Sequence, residues 1–131
     1  MSLQLSVDHE KTNRPIVHLG GQLDAATHGE FDQKLDELMA ALPAGATLVL
    51  DVTALDYISS AGLRSLFLAR RQMSDRNGRA LIVNPQPQIR KVFDIVKAVP
   101  VNEIFTSTAE LDAYLTEMQQ RVLHADDANP D

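Results

Sequence analysis

The sequence predicts an α/β domain built on a mixed β-sheet, with an initial hairpin followed by alternating strands and helices and about four helices packed on the sheet. Three observations predict it. "LQLSV" from Leu3 to Val7 alternates with period two, and "PIVHLGG" from Pro15 to Gly21 is a second strand-like run beyond the turn-prone "DHEKTNR". Two further apolar runs, "TLVLDV" and "RALIV", each follow a stretch with apolar residues at helical spacing. Alternation of this kind after a hairpin implies right-handed crossovers and helices lying on the sheet.

The elements follow in order. After "GGQLDAATHGE", Phe31, Leu35, Leu38 and Leu42 fall on one helical stripe, which "PAGA" ends before the strand "TLVLDV". The segment Ala54-Leu55-Asp56-Tyr57-Ile58 is expected to cross from that strand to a second helix, with Leu63, Leu66, Phe67 and Met73 on its apolar stripe. "DRNG" stops this helix, and "RALIV" is the fourth strand. Ile89, Val92, Phe93 and Val96 mark a short third helix entered through "NPQP", whose prolines forbid an earlier start. "VNEIF", residues 101–105, is expected to be a short edge strand. A last helix carries Leu111, Leu115, Met118 and Val122 behind "STAE", in which Ser107 is expected to cap and Glu110 to reach back.

Composition narrows the function classes. At 131 residues the chain has the length of one domain with one core. Residues 1–123 are expected to form it, with 124–131 a flexible C-terminal tail. Cysteine is absent, so there is neither a disulfide framework nor thiolate chemistry, and the cytoplasm is the expected compartment. The N-terminus lacks a basic segment followed by an apolar core, and no apolar run approaches the ~18 residues of a membrane span, so no membrane insertion is expected. The formal charge of −6 hides a pattern. Residues 60–97 hold eight basic and two acidic side chains between two acidic flanks. Such an island is either a solvated face or a docking surface that sets encounter rate and partner choice. Arg64, Arg70, Arg71, Arg76, Arg79 and Arg90 lack interleaved aromatics, and the flanks repel a phosphate backbone, so no nucleic-acid partner is expected.

Catalytic constellations are missing. His9, His18, His28 and His124 are scattered without metal-ligand spacing. Phosphate-loop and dinucleotide glycine patterns are absent, and "SSAG" lacks the glycine two residues ahead that a nucleophile elbow needs. Asp24, Asp51 and Asp56 are candidates for a cation cluster, but aspartate at strand ends is ordinary turn chemistry and weak support for one. Neither an enzyme, a cofactor nor a metal is expected.

The informative stretch is "LDVTALDYISSAGLRSL". Ser59 or Ser60 is expected to cap the second helix through its hydroxyl, and one serine suffices. Gly62 in the first turn costs helix propensity, about 1 kcal/mol, so something other than helix stability favours it. Close backbone approach is one explanation. A helix N-terminus with a hydroxyl beside it also suits phosphate, either bound or formed on a serine.

These residues carry a resemblance. "VLDVTALDYISSAGLRSL" resembles the central motif of the STAS domain, in its stand-alone bacterial form the anti-sigma factor antagonist. "VHLGGQLDAAT" resembles the family's Gly-x-Leu-Asp-x-x-Thr segment, and "GRALIVNPQPQIRKVFDI" its fourth strand, proline-containing loop and third helix. The resemblance covers about Leu3 to Val122 and implies a STAS-like sheet with its helices. It also implies a partner switch. The unmodified antagonist binds an anti-sigma factor that is a serine kinase of the histidine-kinase-like ATPase fold, the kinase phosphorylates the antagonist, and a metal-dependent serine phosphatase reverses the step. Matching the motifs puts the phosphoacceptor at Ser60, with Ser59 as the alternative hydroxyl where many relatives carry Asp. The partner-binding residues implied are Asp24, Asp56, Ser59, Ser60, Ala61, Gly62 and Arg64. The competing reading is a non-switching STAS scaffold, or a soluble subunit associated with a membrane transport system, in which Ser60 is only a cap.

Overall fold

The computed structural model describes residues 2–98 and 104–125. Strands β1 (Leu3–Asp8), β2 (Ile16–Leu23), β3 (Thr47–Ile58) and β4 (Arg79–Val83) form one sheet in the order β1-β2-β3-β4. β1 and β2 pair antiparallel as the expected hairpin, and β2–β3 and β3–β4 are parallel. The parallel connections run through helices α1 (His28–Ala41) and α2 (Ser60–Asp75). Helices α3 (Pro87–Ala98) and α4 (Thr108–Leu123) follow β4. Among the described residues this is the mixed sheet with four longer helices that the alternation predicts.

The core lies on one side of the sheet. Val17, Leu19, Leu48, Leu50 and Val52 point into it from the strands, against Phe31 and Leu35 of α1 and Leu63, Leu66 and Met73 of α2. The second helix departs from expectation in one residue. Phe67 is 39% exposed, with its neighbour Leu68 at 46%, and Ala69 takes the buried position instead. The apolar stripe of α2 therefore has a second, outward edge. At α4 the expected capping box is half formed: Ser107 Oγ accepts from the Glu110 amide, but the Glu110 carboxylate takes the Thr106 hydroxyl instead of reaching back to the Ser107 amide. Of the expected edge strand at 101–105, only Ile104 and Phe105 are described, and neither is in a strand. Most of the expected tail, 124–131, lies outside the described residues.

β3 is longer than its sequence suggests. The segment expected to cross to α2 remains in the sheet to Ile58, and two register shifts against β2 explain how. His18 pairs with Asp51 but Gly20 with Ala54, and Gly21 pairs with Leu55 but Gln22 with Tyr57, so β3 carries an extra residue at each shift. Each bulge resets which residue points inward. The buried positions consequently run Val52, Leu55, Ile58, a period of three that periodicity alone does not read as strand.

The second bulge sets Leu23 beside Ile58 at the sheet end, with the Leu23 carbonyl accepting from the Ser59 amide at 3.0 Å. α2 starts against that carbonyl. A Cβ on Gly62 would overlap the Leu23 carbonyl oxygen and crowd the Ile58 side chain. Close backbone approach thus accounts for the glycine. Helix propensity alone would make Gly62→Ala stabilising by about 1 kcal/mol. The overlap is expected to reverse the sign, with a net loss of ~1–3 kcal/mol, the usual scale of overpacking. Urea unfolding of the two proteins checks it, and a raised midpoint would contradict the packing described.

Candidate functional site at the mouth of α2

The two serines of the motif do different jobs. Ser59 is the N-cap, with extended backbone (φ −99°, ψ 178°) and its Oγ accepting from the Gly62 amide at 3.3 Å. It is buried, and its own amide is spent on Leu23. Ser60 is the first helical residue, and its hydroxyl is buried without a hydrogen-bond partner among the described residues. The cap therefore belongs to Ser59, and Ser60 is left over from it. Ala61 follows half-buried, Gly62 is buried, and Arg64 is exposed one turn on.

The Ser60 amide is one of the free donors of a helix N-terminus. Its partner comes from the far end of the chain. Asp112 of α4 places Oδ1 at 2.7 Å from the Ser60 nitrogen. The first turn of α2 has no acidic residue of its own, so Asp112 supplies the carboxylate that such a helix end favours. Two further polar contacts tie α4 to the end of β3. Tyr57 OH lies 2.8 Å from Thr116 Oγ1, and Gln119 clamps the backbone of Ile58, accepting from its amide at 3.0 Å and donating to its carbonyl at 2.8 Å. Sequence reasoning missed all three. Asp112, Thr116 and Gln119 form a polar stripe at helical spacing beside the apolar one, and that regularity was the available signal.

Asp24 is built into the entry to α1. Its Oδ1 accepts from the amides of Ala26 (2.9 Å) and Thr27 (3.1 Å), while the Thr27 hydroxyl donates to the Gln22 carbonyl at 2.8 Å. The segment "LDAAT" is thus an Asx turn that fixes the loop beside the mouth of α2. Asp56 is exposed, and Gln86 and Gln88 reach its side chain and carbonyl. A groove of about 620 Å³ joins these parts, lined among others by Asp24, Asp56, Tyr57, Ser59, Asp112 and Gln119. The structure therefore brings Asp24, Asp56 and Ser59 to one groove, with Ser60 bound to Asp112 on its rim.

Asp51 lies apart from that groove in its contacts. Burial works against its charge. That is outweighed by the Thr53 hydroxyl (2.6 Å) and amide (3.0 Å) and by His18 Nδ1 (2.8 Å), which hold its carboxyl below the ordinary 3.8. Among the described residues, no group of three or more His, Cys, Asp or Glu side chains could hold a metal ion. Of the six island arginines, Arg76 is structural, since its guanidinium takes the carbonyls of Met39 and Leu42 at the end of α1.

The chain matches the STAS domain family over residues 6–111, most of its length. It belongs to the STAS domain family. Among curated relatives, BtrV of Bordetella bronchiseptica, assigned as an anti-sigma factor antagonist, is 42% identical over 81 residues, 61% of this chain and 67% of BtrV. The chain spans about two thirds of the length of the curated relatives it matches. Two solved structures share the fold. An anti-sigma factor antagonist from Mycobacterium paratuberculosis superposes with a TM-score of 0.63 at 22% identity, covering 90% of this chain and 95% of that one. The Bacillus cell fate determinant SpoIIAA in its phosphorylated form gives 0.58 at 21% identity, covering 74% and 86%. Among the described residues of this STAS domain, no helix is long and apolar enough to cross a membrane.

Two measurements test this geometry. Ser59→Ala removes the cap and is expected to cost about 1 kcal/mol, whereas Ser60→Ala removes an unpartnered hydroxyl and should change stability by under ~0.5 kcal/mol. Equal losses in urea unfolding would reassign the cap. Because the Asp51 carboxyl titrates lower in the folded state than unfolded, its contribution is fully present above 3.8 and is lost as pH falls through the lowered value. Asp51→Asn should therefore cost about 1 kcal/mol at neutral pH and flatten the acid limb of the stability curve. A parallel limb in the two proteins would remove Asp51 as its cause.

Proposed function

We propose that this STAS protein is an anti-sigma factor antagonist in a phosphorylation-controlled partner switch. Unphosphorylated, it binds an anti-sigma factor that is also a serine kinase, and phosphorylation of Ser60 releases it. The observation that carries this reading is the division of labour between the two hydroxyls. Ser59 has a structural task at the helix mouth, and Ser60, in the motif position of the acceptor, has none. The 42% identity to BtrV supports it.

The chemistry is a single phosphoryl transfer. Ser60 Oγ bonds to the γ-phosphorus of ATP as the bridging P–O bond breaks, ADP leaves, and the hydroxyl proton passes to a base on the kinase. A metal-dependent phosphatase reverses the state by hydrolysis, returning the serine and inorganic phosphate. Phosphate adds about −1.5 to −2 charges at neutral pH beside the carboxylates Asp24, Asp56 and Asp112. A partner pressed against this end would have to desolvate that charge, and a change of about 3 kcal/mol weakens binding more than a hundredfold.

The outward edge of α2 supplies the contact face. Arg64, Phe67, Leu68 and Arg71 are exposed at positions i, i+3, i+4 and i+7 from Arg64, so two apolar side chains lie between two arginines in a stripe that starts one turn below Ser60. An apolar centre with a charged rim is the anatomy of a protein interface, and the arginines favour a partner with an acidic rim. The proposed docking surface thus runs from Asp56, Ser60 and Ala61 through Arg64 along α2, while Asp24, Ser59 and Gly62 are buried and shape the helix mouth beneath it.

Intact-mass measurement on protein purified from cells, with and without phosphatase, tests the switch. The expected result is a species heavier by one phosphoryl group, removed by phosphatase, absent in Ser60→Ala and retained in Ser59→Ala. Phosphoserine installed at position 60 should weaken binding to the anti-sigma factor more than about a hundredfold with the fold intact. Phosphorylation that persists in Ser60→Ala would displace the acceptor, and unchanged binding would favour the scaffold reading.

A further inference from the structure

Among the described residues, the sheet face turned away from the core is open to solvent. Val17, Leu19, Leu48 and Leu50 point into the core, so by alternation the other face carries Ile16 and His18 of β2, Val49 and Asp51 of β3, and Leu81 and Val83 of β4. The register sets these in rows. Asp8 pairs with Ile16, Ile16 with Val49 and Val49 with Leu81, and one pleat further Ser6, His18, Asp51 and Val83 form the next row. Of the large apolar side chains exposed among the described residues, Leu81, at 39%, is the one that lies in a strand. The polar pair within the second row is satisfied internally: His18 Nδ1 meets Asp51 Oδ2 at 2.8 Å, and Asp51 Oδ1 takes the Thr53 hydroxyl and amide. The face is an apolar band whose central polar groups are already paired.

The two ends of the band carry opposite charges. Asp8 stands at the β1 end, with Glu10, Lys11 and Arg14 of the turn beside it, and Arg79, exposed and two residues before Leu81 on the same face, stands at the β4 end. Three strand spacings, about 14 Å, separate Asp8 from Arg79, so they cannot meet within one molecule. Neither forms an ion pair among the described residues. We propose that this face binds a second copy of the chain, sheet against sheet about a two-fold axis along the strands, with Ile16 and Val49 of each copy packed on Val49 and Ile16 of the other and Asp8 of each paired with Arg79 of the other. Such an axis lays the order β1-β2-β3-β4 over its own reverse while keeping height along the strands, so each carboxylate end meets a guanidinium end and every contact is made twice. A partner of one charge sign would meet one of these ends and oppose the other. Aligned packing of two twisted sheets ~10 Å apart is ordinary sandwich geometry. The footprint, four strands wide and about six residues long, is roughly 20 Å on a side, at the small end of specific interfaces, so the dimer is weak and reversible. Because α2 lies on the core side of the sheet, each copy keeps its helix mouth free, and the pair offers two such surfaces at once.

Sedimentation equilibrium from about 10 µM to about 1 mM protein, in ~0.15 M salt so that the net charge of −6 on each copy is screened, reads the association. The wild-type protein is expected to dimerise with a dissociation constant on the order of 100 µM. Leu81→Lys, at an exposed position outside the core, should weaken the dimer at least ~10-fold by placing an ammonium in the apolar band. Asp8→Arg and Arg79→Asp should each weaken it as well, because each sets like charges against one another at both rims. Mixed in equal amounts, these two variants should associate as tightly as the wild type, since every rim contact is then again of opposite sign. Asp8→Arg also gives up the Glu10 amide, and recovery on mixing distinguishes a lost ion pair from a loosened hairpin. A wild-type protein still monomeric at about 1 mM, or a dimer unmoved by Leu81→Lys in a variant with an unchanged urea midpoint, overturns the proposal. No recovery on mixing two folded variants overturns the two-fold arrangement. A monomeric wild type in which Leu81→Lys instead weakens binding to the anti-sigma factor gives the face to that partner and equally overturns self-association.

Discussion

The arrangement of this domain hangs on one backbone contact, the Leu23 carbonyl against the start of α2. That oxygen accepts the Ser59 amide and leaves no room for a side chain at position 62. Two strands of opposite origin, β2 from the hairpin and β3 from the first crossover, must end at one level for this to happen, and the two bulges in β3 bring their ends level. Without the added residues, Ile58 would be out of phase with Leu23 and α2 would begin elsewhere. Because Leu23 also precedes the Asp24 turn, the same contact sets the loop and the helix mouth side by side. The site is a consequence of where the sheet stops.

With Ser60 as the proposed acceptor, the pair of serines separates stability from chemistry. A capping hydroxyl is occupied, and modifying it would remove the cap from the helix it starts. Placing a second hydroxyl one residue later leaves the cap with Ser59 and frees Ser60. The helix end also favours negative charge at this point, so a phosphate there is compatible with the fold while being hostile to a close-packed partner. Fold tolerance and partner intolerance are separable because they depend on different neighbours.

Much of the architecture was legible in the sequence because its signals are local. The hairpin, the α1 stripe of Phe31, Leu35, Leu38 and Leu42, and the stops at "PAGA" and "DRNG" depend on period, glycine and proline, and the structure follows them. The far half of β3 was not legible, because two bulges turn a period of two into a spacing of three at Val52, Leu55 and Ile58. Phe67 lies on the helical stripe that the sequence predicts to face inward, yet the buried position belongs to Ala69. The motif residues of the site were readable as a set, while the choice between Ser59 and Ser60 as the cap needed the backbone angles. Asp112, Thr116 and Gln119 were hidden for another reason: their partners lie 52, 59 and 61 residues away, and no window of local sequence contains both sides of such a contact.

The Arg76 guanidinium gives the molecule a mechanical polarity. It binds two carbonyls at the end of α1 from the C-cap of α2, so the helices flanking the core are riveted together at the end remote from Ser60. A planar fork holding two acceptors resists twisting as well as separation. The opposite end of α2 is held by different means, the Leu23 carbonyl on the Ser59 amide and Ser65 beside His28 at the start of α1.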